Sequence, residues 1–254
     1  MPRVYKTILP RIRKSLRDRG LITTLRRSVL LPFHVVKEYR DAKKLRPGNY
    51  KSEFDRAYDV ETDGEYDGWT YLSDLDIASP NWIDANDYHG IEPERFRMVL
   101  ASLNIAFDNY TFVDFGSGKG RALLLASEFP FKEIIGLEFS SELHVIAEAN
   151  MQRYRSGTQK CKNIRSINMD FTAFDLPSGP AILFFFDPCK QRVLEQVVSR
   201  IESALSSRSG PLFIAYVAPR SETLRIFDSS RFLKVVFRNP EFRFVIYEAA
   251  PAPA

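Results

Sequence analysis

The chain of 254 residues is predicted to be an α/β protein. Its expected architecture is a doubly wound, mostly parallel seven-stranded sheet with an antiparallel C-terminal hairpin and an N-terminal helical arm. Three observations predict it. Between residues 111 and 249, short apolar runs alternate with helical patterns of roughly ten to fifteen residues, as parallel strands joined by crossover helices require. The run Ala181-Ile-Leu-Phe-Phe-Phe186 is apolar throughout, which suits a strand covered on both faces. The last two apolar runs are separated only by Asn239-Pro240-Glu241, so they must pair antiparallel.

The elements follow in order. Glu92-Pro93-Glu94 opens a helix, with Phe96, Val99, Leu100 and Leu103 at helical spacing through about residue 104. Thr111–Phe115 is a strand, Lys119–Phe129 a helix and Glu133–Phe139 a strand. Ser140 or Ser141 caps a helix that runs to about Arg155, and Asn163–Met169 is the next strand. Ala181–Phe186 is a strand, Lys190–Leu205 a helix, Pro211–Val217 a strand and Glu222–Phe227 a short helix. Leu233–Arg238 and Phe242–Glu248 form the final hairpin.

Ahead of this core, residues 50–68 are polar and acidic and read as a linker with turns at Asp63-Gly64 and Asp67-Gly68. Trp69, Tyr71, Trp82, Tyr88 and His89 then lie among Asp, Asn, Ser and Pro. That stretch is either a lid over a site or an anchor for an irregular segment. The organisation is a basic arm (1–50), an irregular approach or lid segment (51–92), a ligand-binding domain (93–249) and a disordered tail (250–254).

The 44% apolar content is enough for one substantial core. No run approaches the roughly 20 apolar residues of a spanning helix. Cys161 and Cys189 form neither a disulfide framework nor metal-ligand spacing, and they fit a reducing compartment, hence a cytoplasmic location. His34, His89 and His144 are not paired at ligand spacing, so no metal site is expected. The net charge of +4 is unevenly spread. Residues 1–46 hold 14 Lys and Arg against three acids, near +11, which leaves the remainder near −7.

Within the arm, Val4, Tyr5, Ile8, Leu9, Ile12 and Leu16 fit an amphipathic helix interrupted at Pro10 and stopping at Gly20. Two further short helices are expected before Pro32 and before Pro47. The arm is either a helical layer packed on the domain or a surface for an anionic partner. An anionic membrane face suits its aliphatic residues better than nucleic acid does, because the aromatic–basic interleaving of a stacking platform is missing. A targeting peptide is a further reading, opposed by the lack of Ser enrichment and of an apolar secretory core.

The chemistry concentrates in Phe112-Val-Asp-Phe-Gly-Ser-Gly-Lys-Gly-Arg121. It reads as a strand end, a glycine turn and a helix start, the usual ligand site at the carboxyl end of a parallel strand. Gly116, Gly118 and Gly120 permit backbone geometry and close approach that a side chain would block. A nicotinamide dinucleotide would want Gly-x-Gly-x-x-Gly and a free helix N-terminus for its pyrophosphate. Here the spacing is Gly-Ser-Gly-Lys-Gly, and Asp114 stands two residues ahead of it. An anion beside Asp114 is repelled and a cation favoured. S-adenosylmethionine carries an ammonium and a sulfonium and no phosphate, so the acid favours it over a dinucleotide. Asp114, Glu138, Asp170 and Asp187 all fall at or near the ends of successive strands. Lys119 and Arg121 are expected at the surface or the helix start.

With these residues the sequence resembles the class I S-adenosylmethionine-dependent methyltransferases over about residues 93–249. The form Asp-x-Gly-Ser-Gly-Lys-Gly-Arg resembles a bacterial group of small methyltransferases, and it is also similar to protein-lysine methyltransferases built on this fold. The resemblance implies a Rossmann-like methyltransferase fold and S-adenosyl-L-methionine as cofactor. Asp114, Gly116, Ser117, Gly118 and Gly120 would form the cofactor turn. Glu138, with Phe139 beside it, would bind the ribose hydroxyls. Asp170 would lie at the adenine, with Phe171 beside it, and Asn168 or Phe171 would be the alternative contact.

Phe185-Phe186-Asp187-Pro188-Cys189 resembles the family's Asn/Asp-Pro-Pro-aromatic motif of amine-nitrogen methyltransferases, with Cys189 and Lys190 departing from it. Asp187 and Pro188 would then be the catalytic pair, accepting hydrogen bonds from the target amine, with Asp187 also helping to remove a proton. A structural cap is the rival role for Asp187, and a covalent nucleophile is the remote alternative for Cys189. The expected function is methyl transfer, to a nitrogen acceptor on a protein or small molecule. The alternative is a non-catalytic protein of this fold working through its basic arm on membrane or RNA.

Overall fold

The computed structural model describes residues 51–65 and 68–250. The expected helices and partner surface of the arm, and the tail from Pro251 onward, lie outside the described residues. Glu65 apart, the described residues belong to one compact unit.

The chain enters through helix α1 (Glu53–Tyr58). Two-residue strands β1 (Trp69–Thr70) and β2 (Tyr88–His89) pair antiparallel, Trp69 opposite His89. Helix α2 (Pro93–Ala101) then leads into the main alternation. This comprises β3 (Thr111–Phe115), α3 (Arg121–Ala126), β4 (Glu133–Glu138), α4 (Ser141–Arg153), β5 (Ile164–Asn168) and β6 (Ala181–Phe186). It continues through α5 (Gln191–Ala204), β7 (Leu212–Val217), α6 (Ser221–Asp228), β8 (Leu233–Asn239) and β9 (Phe244–Ala249).

Strands β3 to β9 form one seven-stranded sheet in the order β5-β4-β3-β6-β7-β9-β8. Pairing is parallel from β5 to β7, while β9 runs antiparallel to both β7 and β8. The doubly wound, mostly parallel sheet with an antiparallel C-terminal hairpin is therefore the fold. The chain builds outward from β3 through β4 to β5, then returns to start the other half at β6. The switch point lies between the carboxyl ends of β3 and β6, where such sheets bind ligands.

Both sheet faces are covered, which explains the continuous apolar runs. In β6, Ile182 and Phe184 pack with Phe96, Phe112 and Leu124 on one face. Leu183 and Phe185 pack with Val193, Phe227 and Tyr247 on the other. Helix α5 buries Val193, Leu194, Val197, Val198 and Ile201, one stripe at helical spacing. Burying each such side chain contributes about 1.5–3 kcal/mol, so the sheet holds its strand ends rigidly for the site above.

Three elements differ from expectation. Helix α1 occupies part of the expected linker; Ser52 caps it, accepting from the Asp55 N–H at 3.2 Å. Helix α3 is shorter than expected, because Gly120 at φ 86° still belongs to the turn. Ala249 belongs to β9, opposite Leu212 and Leu233. Among the described residues no helix is long and apolar enough to cross a membrane.

Candidate active site

The glycine turn leaves β3 with its backbone bent towards β4. The Gly116 and Ser117 N–H groups both donate to the Leu137 carbonyl at 3.0 Å. Gly118 has φ 52°, and a Cβ placed there would sit 2.1 Å from the ring of Tyr88 in β2. A Cβ on Gly116 would come within 3.0 Å of Pro188 Cβ, so the ends of β3 and β6 nearly touch at the switch point.

Lys119 and Arg121 are not at the surface. Lys119 is 1% exposed, and its Nζ donates to the Asp63 carbonyl at 2.7 Å. The Arg121 guanidinium is buried against Asp63 (2.5 Å), Asp55 (3.4 Å) and the Thr62 hydroxyl (2.6 Å). Asp55 in turn accepts from the Thr62 N–H at 2.7 Å and the Asp63 N–H at 2.9 Å. Burying a charge is costly unless it is paired and hydrogen-bonded; Arg121 is both, and Lys119 is hydrogen-bonded to a carbonyl. The two basic residues of the motif thus bind residues 52–63 to the turn as a polar strap.

On the other side of the turn stands Glu138, buried at the end of β4. Its Oε2 accepts from the Gly118 N–H and its Oε1 from the Ser140 N–H, both at 2.8 Å. Burial raises its pKa to about 7 against the pull of those N–H groups. Asp114 is also buried and has no hydrogen-bond partner among the described residues. Burial, and then the charge of Glu138, push it to about 8. Two buried acids therefore lie close enough for the charge of one to raise the pKa of the other.

A cavity of about 260 Å³ lies over the strand ends. Of the nine expected cofactor residues, Gly116, Glu138, Phe139, Asp170 and Phe171 line it, and Asp114, Ser117, Gly118 and Gly120 do not. The reason is steric. Tyr88 covers Gly118, its hydroxyl donating to the Thr62 carbonyl at 2.5 Å. Ser117 Oγ turns back against Gly136 and has no partner, and Gly120 lies against Ala147.

Asp170 caps the turn at Phe171–Ala173, but its carboxylate is fully engaged. Oδ1 accepts from the Thr172 N–H (2.9 Å) and hydroxyl (2.7 Å), and Oδ2 from the Ser79 hydroxyl (2.5 Å) and Asn81 amide (2.8 Å). Burial opposes its ionisation, yet these bonds hold its pKa below the ordinary value. With about four acceptor sites on a carboxylate, none remains for an adenine amino group.

Asp187 and Pro188 both line the cavity. Asp187 has φ 40°, a conformation rare for a side-chain-bearing residue. Its Oδ2 accepts from Arg220 Nε at 3.0 Å, and its Oδ1 from the Tyr216 hydroxyl at 3.3 Å. Its carbonyl accepts from the Asn86 amide at 2.6 Å, and the Pro188 carbonyl from the Asn86 N–H at 3.0 Å. Burial raises the Asp187 pKa, and Arg220 opposes the rise. The Cys189 thiol is buried and shifted upward by burial and then by Asp187, Asp170 and Asp84. Burial thus disfavours the thiolate that a covalent role would need.

The aromatic stretch before α2 is fastened to the end of β6 and the start of α5. Ala85 bridges to Cys189, the Lys190 N–H donates to the Asp84 carbonyl at 2.7 Å, and Arg192 pairs with Asp84 at 2.5 Å. The His89 ring sits 4.1 Å from that of Trp69 and 4.6 Å from that of Phe186, on the cavity wall. Burial lowers its pKa. His89 belongs to the aromatic stretch that the sequence offered as a lid or an anchor, whereas Asn81, Asn86, Arg220 and Arg243 are cavity residues that the sequence reasoning did not single out. Asn81 and Asn86 had as their signal a place in that stretch, and Arg220 and Arg243 had none.

No protein-family model and no curated protein matches the chain. Among solved structures it is similar to a SAM-dependent O-methyltransferase of Thermotoga maritima, with 16% identity, 66% of this chain and 69% of that one covered, and a TM-score of 0.44. It is also similar to an rRNA methylase of Streptococcus thermophilus, with 12% identity, 65% and 100% covered, and a TM-score of 0.40. A third likeness is to a ribosomal protein L11 methylase of Lactobacillus delbrueckii subsp. bulgaricus, with 12% identity, 63% and 78% covered, and a TM-score of 0.42.

Proposed function

We propose that the protein is an S-adenosylmethionine-dependent methyltransferase. The observation that carries this reading is the buried pair Asp114 and Glu138 beside the glycine turn, with no ion-pair partner among the described residues. A dinucleotide phosphate would be repelled there, whereas a ligand bearing an ammonium and a sulfonium gains from both acids. S-adenosylmethionine, when bound, supplies an electrophilic methyl carbon.

Glu138 would hold the ribose hydroxyls with the lone pairs its backbone donors leave free, flanked by Phe139 and Phe171. Gly116 lets the ligand approach the backbone. Asp114 acts through its field from behind the turn. Asp170 would position Ser79, Asn81 and Phe171, since its acceptor sites are filled. Asp187 and Pro188 shape the acceptor end. Asn86, Arg220 and Tyr216 donate to the oxygens of Asp187 and Pro188, and the acceptor sites they leave are those a target amine would use. His89 is the wall residue suited to take a proton from the acceptor, because burial keeps its imidazole neutral near pH 7. Much of the rate would come from holding the acceptor in line with the methyl group inside the cavity.

The test is thermal unfolding with S-adenosylmethionine, S-adenosylhomocysteine and NAD. A ligand at about 100 times its Kd stabilises by about 2.7 kcal/mol, a shift of several degrees. Stabilisation by the two adenosyl ligands and none by NAD supports the reading; no shift with either adenosyl ligand refutes it. The non-catalytic alternative gains no observation from the described residues.

A further inference from the structure

We infer that the methyl acceptor is a small planar acid whose carboxylate is held by Arg243 and Arg220 at the mouth of the cavity. This rests on the methyl-donor reading for which end of the cavity receives the acceptor.

The cavity is polarised. Glu138 and Asp170 line one end, with Asp114 behind them. Arg220 and Arg243 line the other. Asp187 is the acid at that end, and Arg220 neutralises it at 3.0 Å. Asp87 is also on the wall, where it accepts from the Leu72 N–H at 3.0 Å. Arg243 has no carboxylate partner among the described residues and remains an uncompensated cation. Arg220 spends two of its five N–H donors, on Asp187 and on Asn86 Oδ1 at 2.9 Å. The others have no partner among the described residues. A planar guanidinium with free donors matches a carboxylate in geometry as well as charge.

The backbone shows that this arrangement is built. Among the described residues only four non-glycine residues have positive φ, and three of them line this cavity: Asp187 (40°), Ala218 (52°) and Arg243 (51°). Such conformations are strained and persist where the surroundings enforce them, commonly at functional sites. Here the Ala218 N–H donates to the Arg243 carbonyl at 2.7 Å, fixing the β8–β9 turn against the end of β7.

The wall beside the arginines is aromatic. Trp69, His89 and Phe186 present ring surface, which suits a flat acceptor. The same cavity of about 260 Å³ is lined by Glu138 at the donor end and by both arginines, so an acid held by the arginines lies in one space with the donor.

The test uses the full chain, with benzoate and benzamide as matched probes at saturating S-adenosylhomocysteine. Tryptophan fluorescence is the readout, since Trp69 lies at the cavity and is 43% exposed. Benzoate should bind about tenfold more tightly than benzamide, the scale of one charge-assisted hydrogen-bonded pair. Arg243→Gln should lose most of that preference, Arg243→Lys should keep part of it, and Arg243→Glu should reverse it. Arg243 is exposed, so these variants should keep the wild-type melting temperature and its shift with S-adenosylhomocysteine. Equal binding of the two probes, a preference unchanged in Arg243→Gln, or no binding of either to a protein that S-adenosylhomocysteine does stabilise would each overturn the inference. If S-adenosylhomocysteine produces no shift, the donor reading fails instead. The benzoate titration without it then still decides whether the arginines bind an acid.

Discussion

Glu138 accepts a hydrogen bond from the Gly118 N–H at 2.8 Å while Asp114, buried beside it, has no partner among the described residues. The contrast makes the ligand site electrostatically incomplete as it stands. The pair has folded pKa values of about 7 and about 8, against ordinary values of 4.5 and 3.8. A carboxyl whose folded pKa is raised binds more protons in the native state than in the unfolded one. Stability therefore falls as pH rises from about 4 through about 8. We expect the melting temperature without ligand to decline over that window, and Asp114→Asn to flatten the decline. A cationic ligand prefers both acids ionised, so its binding should release protons and tighten as pH rises from 6 to 8. Calorimetry in two buffers of different ionisation enthalpy measures the release.

The strap depends on Arg121. Removing the guanidinium leaves Asp55 and Asp63 buried without their cation, and breaking a buried pair in this way costs about 3–5 kcal/mol. We expect Arg121→Ala to lower the denaturant midpoint accordingly and to open residues 52–63 to protease. Arg121→Lys should recover part of the loss, because an ammonium restores charge without the planar fork. A cost below about 1 kcal/mol would place these charges in a wetter setting than the 7% side-chain exposure of Arg121 implies.

Gly118 meets two constraints, its φ of 52° and the Tyr88 ring. Gly118→Ala should be destabilising by roughly 1–3 kcal/mol through strain and overlap together. Tyr88→Ala in the same chain removes only the overlap. The double variant should then be more stable than the sum of the two single losses allows, and a double-mutant cycle measures that difference. Simple additivity would mean that Tyr88 does not press on the turn.

His89 and Asp187 should separate in kinetics. Turnover carried by neutral His89 should rise with pH through a pKa below 6.5, and His89→Gln should remove that limb. Asp187→Ala should keep cofactor binding and lose turnover, because Arg220 and Asn86 lose the group that orders them. An unchanged pH profile in His89→Gln would exclude the imidazole as the proton acceptor.

The sheet was legible because its signals are local. The apolar run of β6 and the three-residue Asn239-Pro240-Glu241 link specify their elements within a few residues. So does the glycine turn, whose acids sit at fixed distances along the chain. The strap and the contacts of the aromatic stretch were not legible, because long-range pairs hold them. Asp63 meets Arg121 across 58 positions, and Asn86 meets Asp187 across 101. Lys119 and Arg121 read as surface residues because charged side chains are usually exposed, and only the pairing revealed the exception. Helix α1 escaped notice because six residues carry a single apolar pair, Phe54 and Tyr58, and the ring they pack on, Tyr154, lies about a hundred positions away. Asp170 was placed at the strand end as expected, but its neighbours from residues 79–81 could not be read from the sequence.

The most direct test of the central claim is calorimetric titration of S-adenosylhomocysteine into the wild-type protein and into Glu138→Ala at pH 8. We expect one site per chain with a Kd in the micromolar range, and at least a 100-fold loss in Glu138→Ala, the scale of about two lost hydrogen bonds to a buried charged acceptor. Binding that is undiminished in Glu138→Ala, or absent from the wild-type chain, would contradict the account.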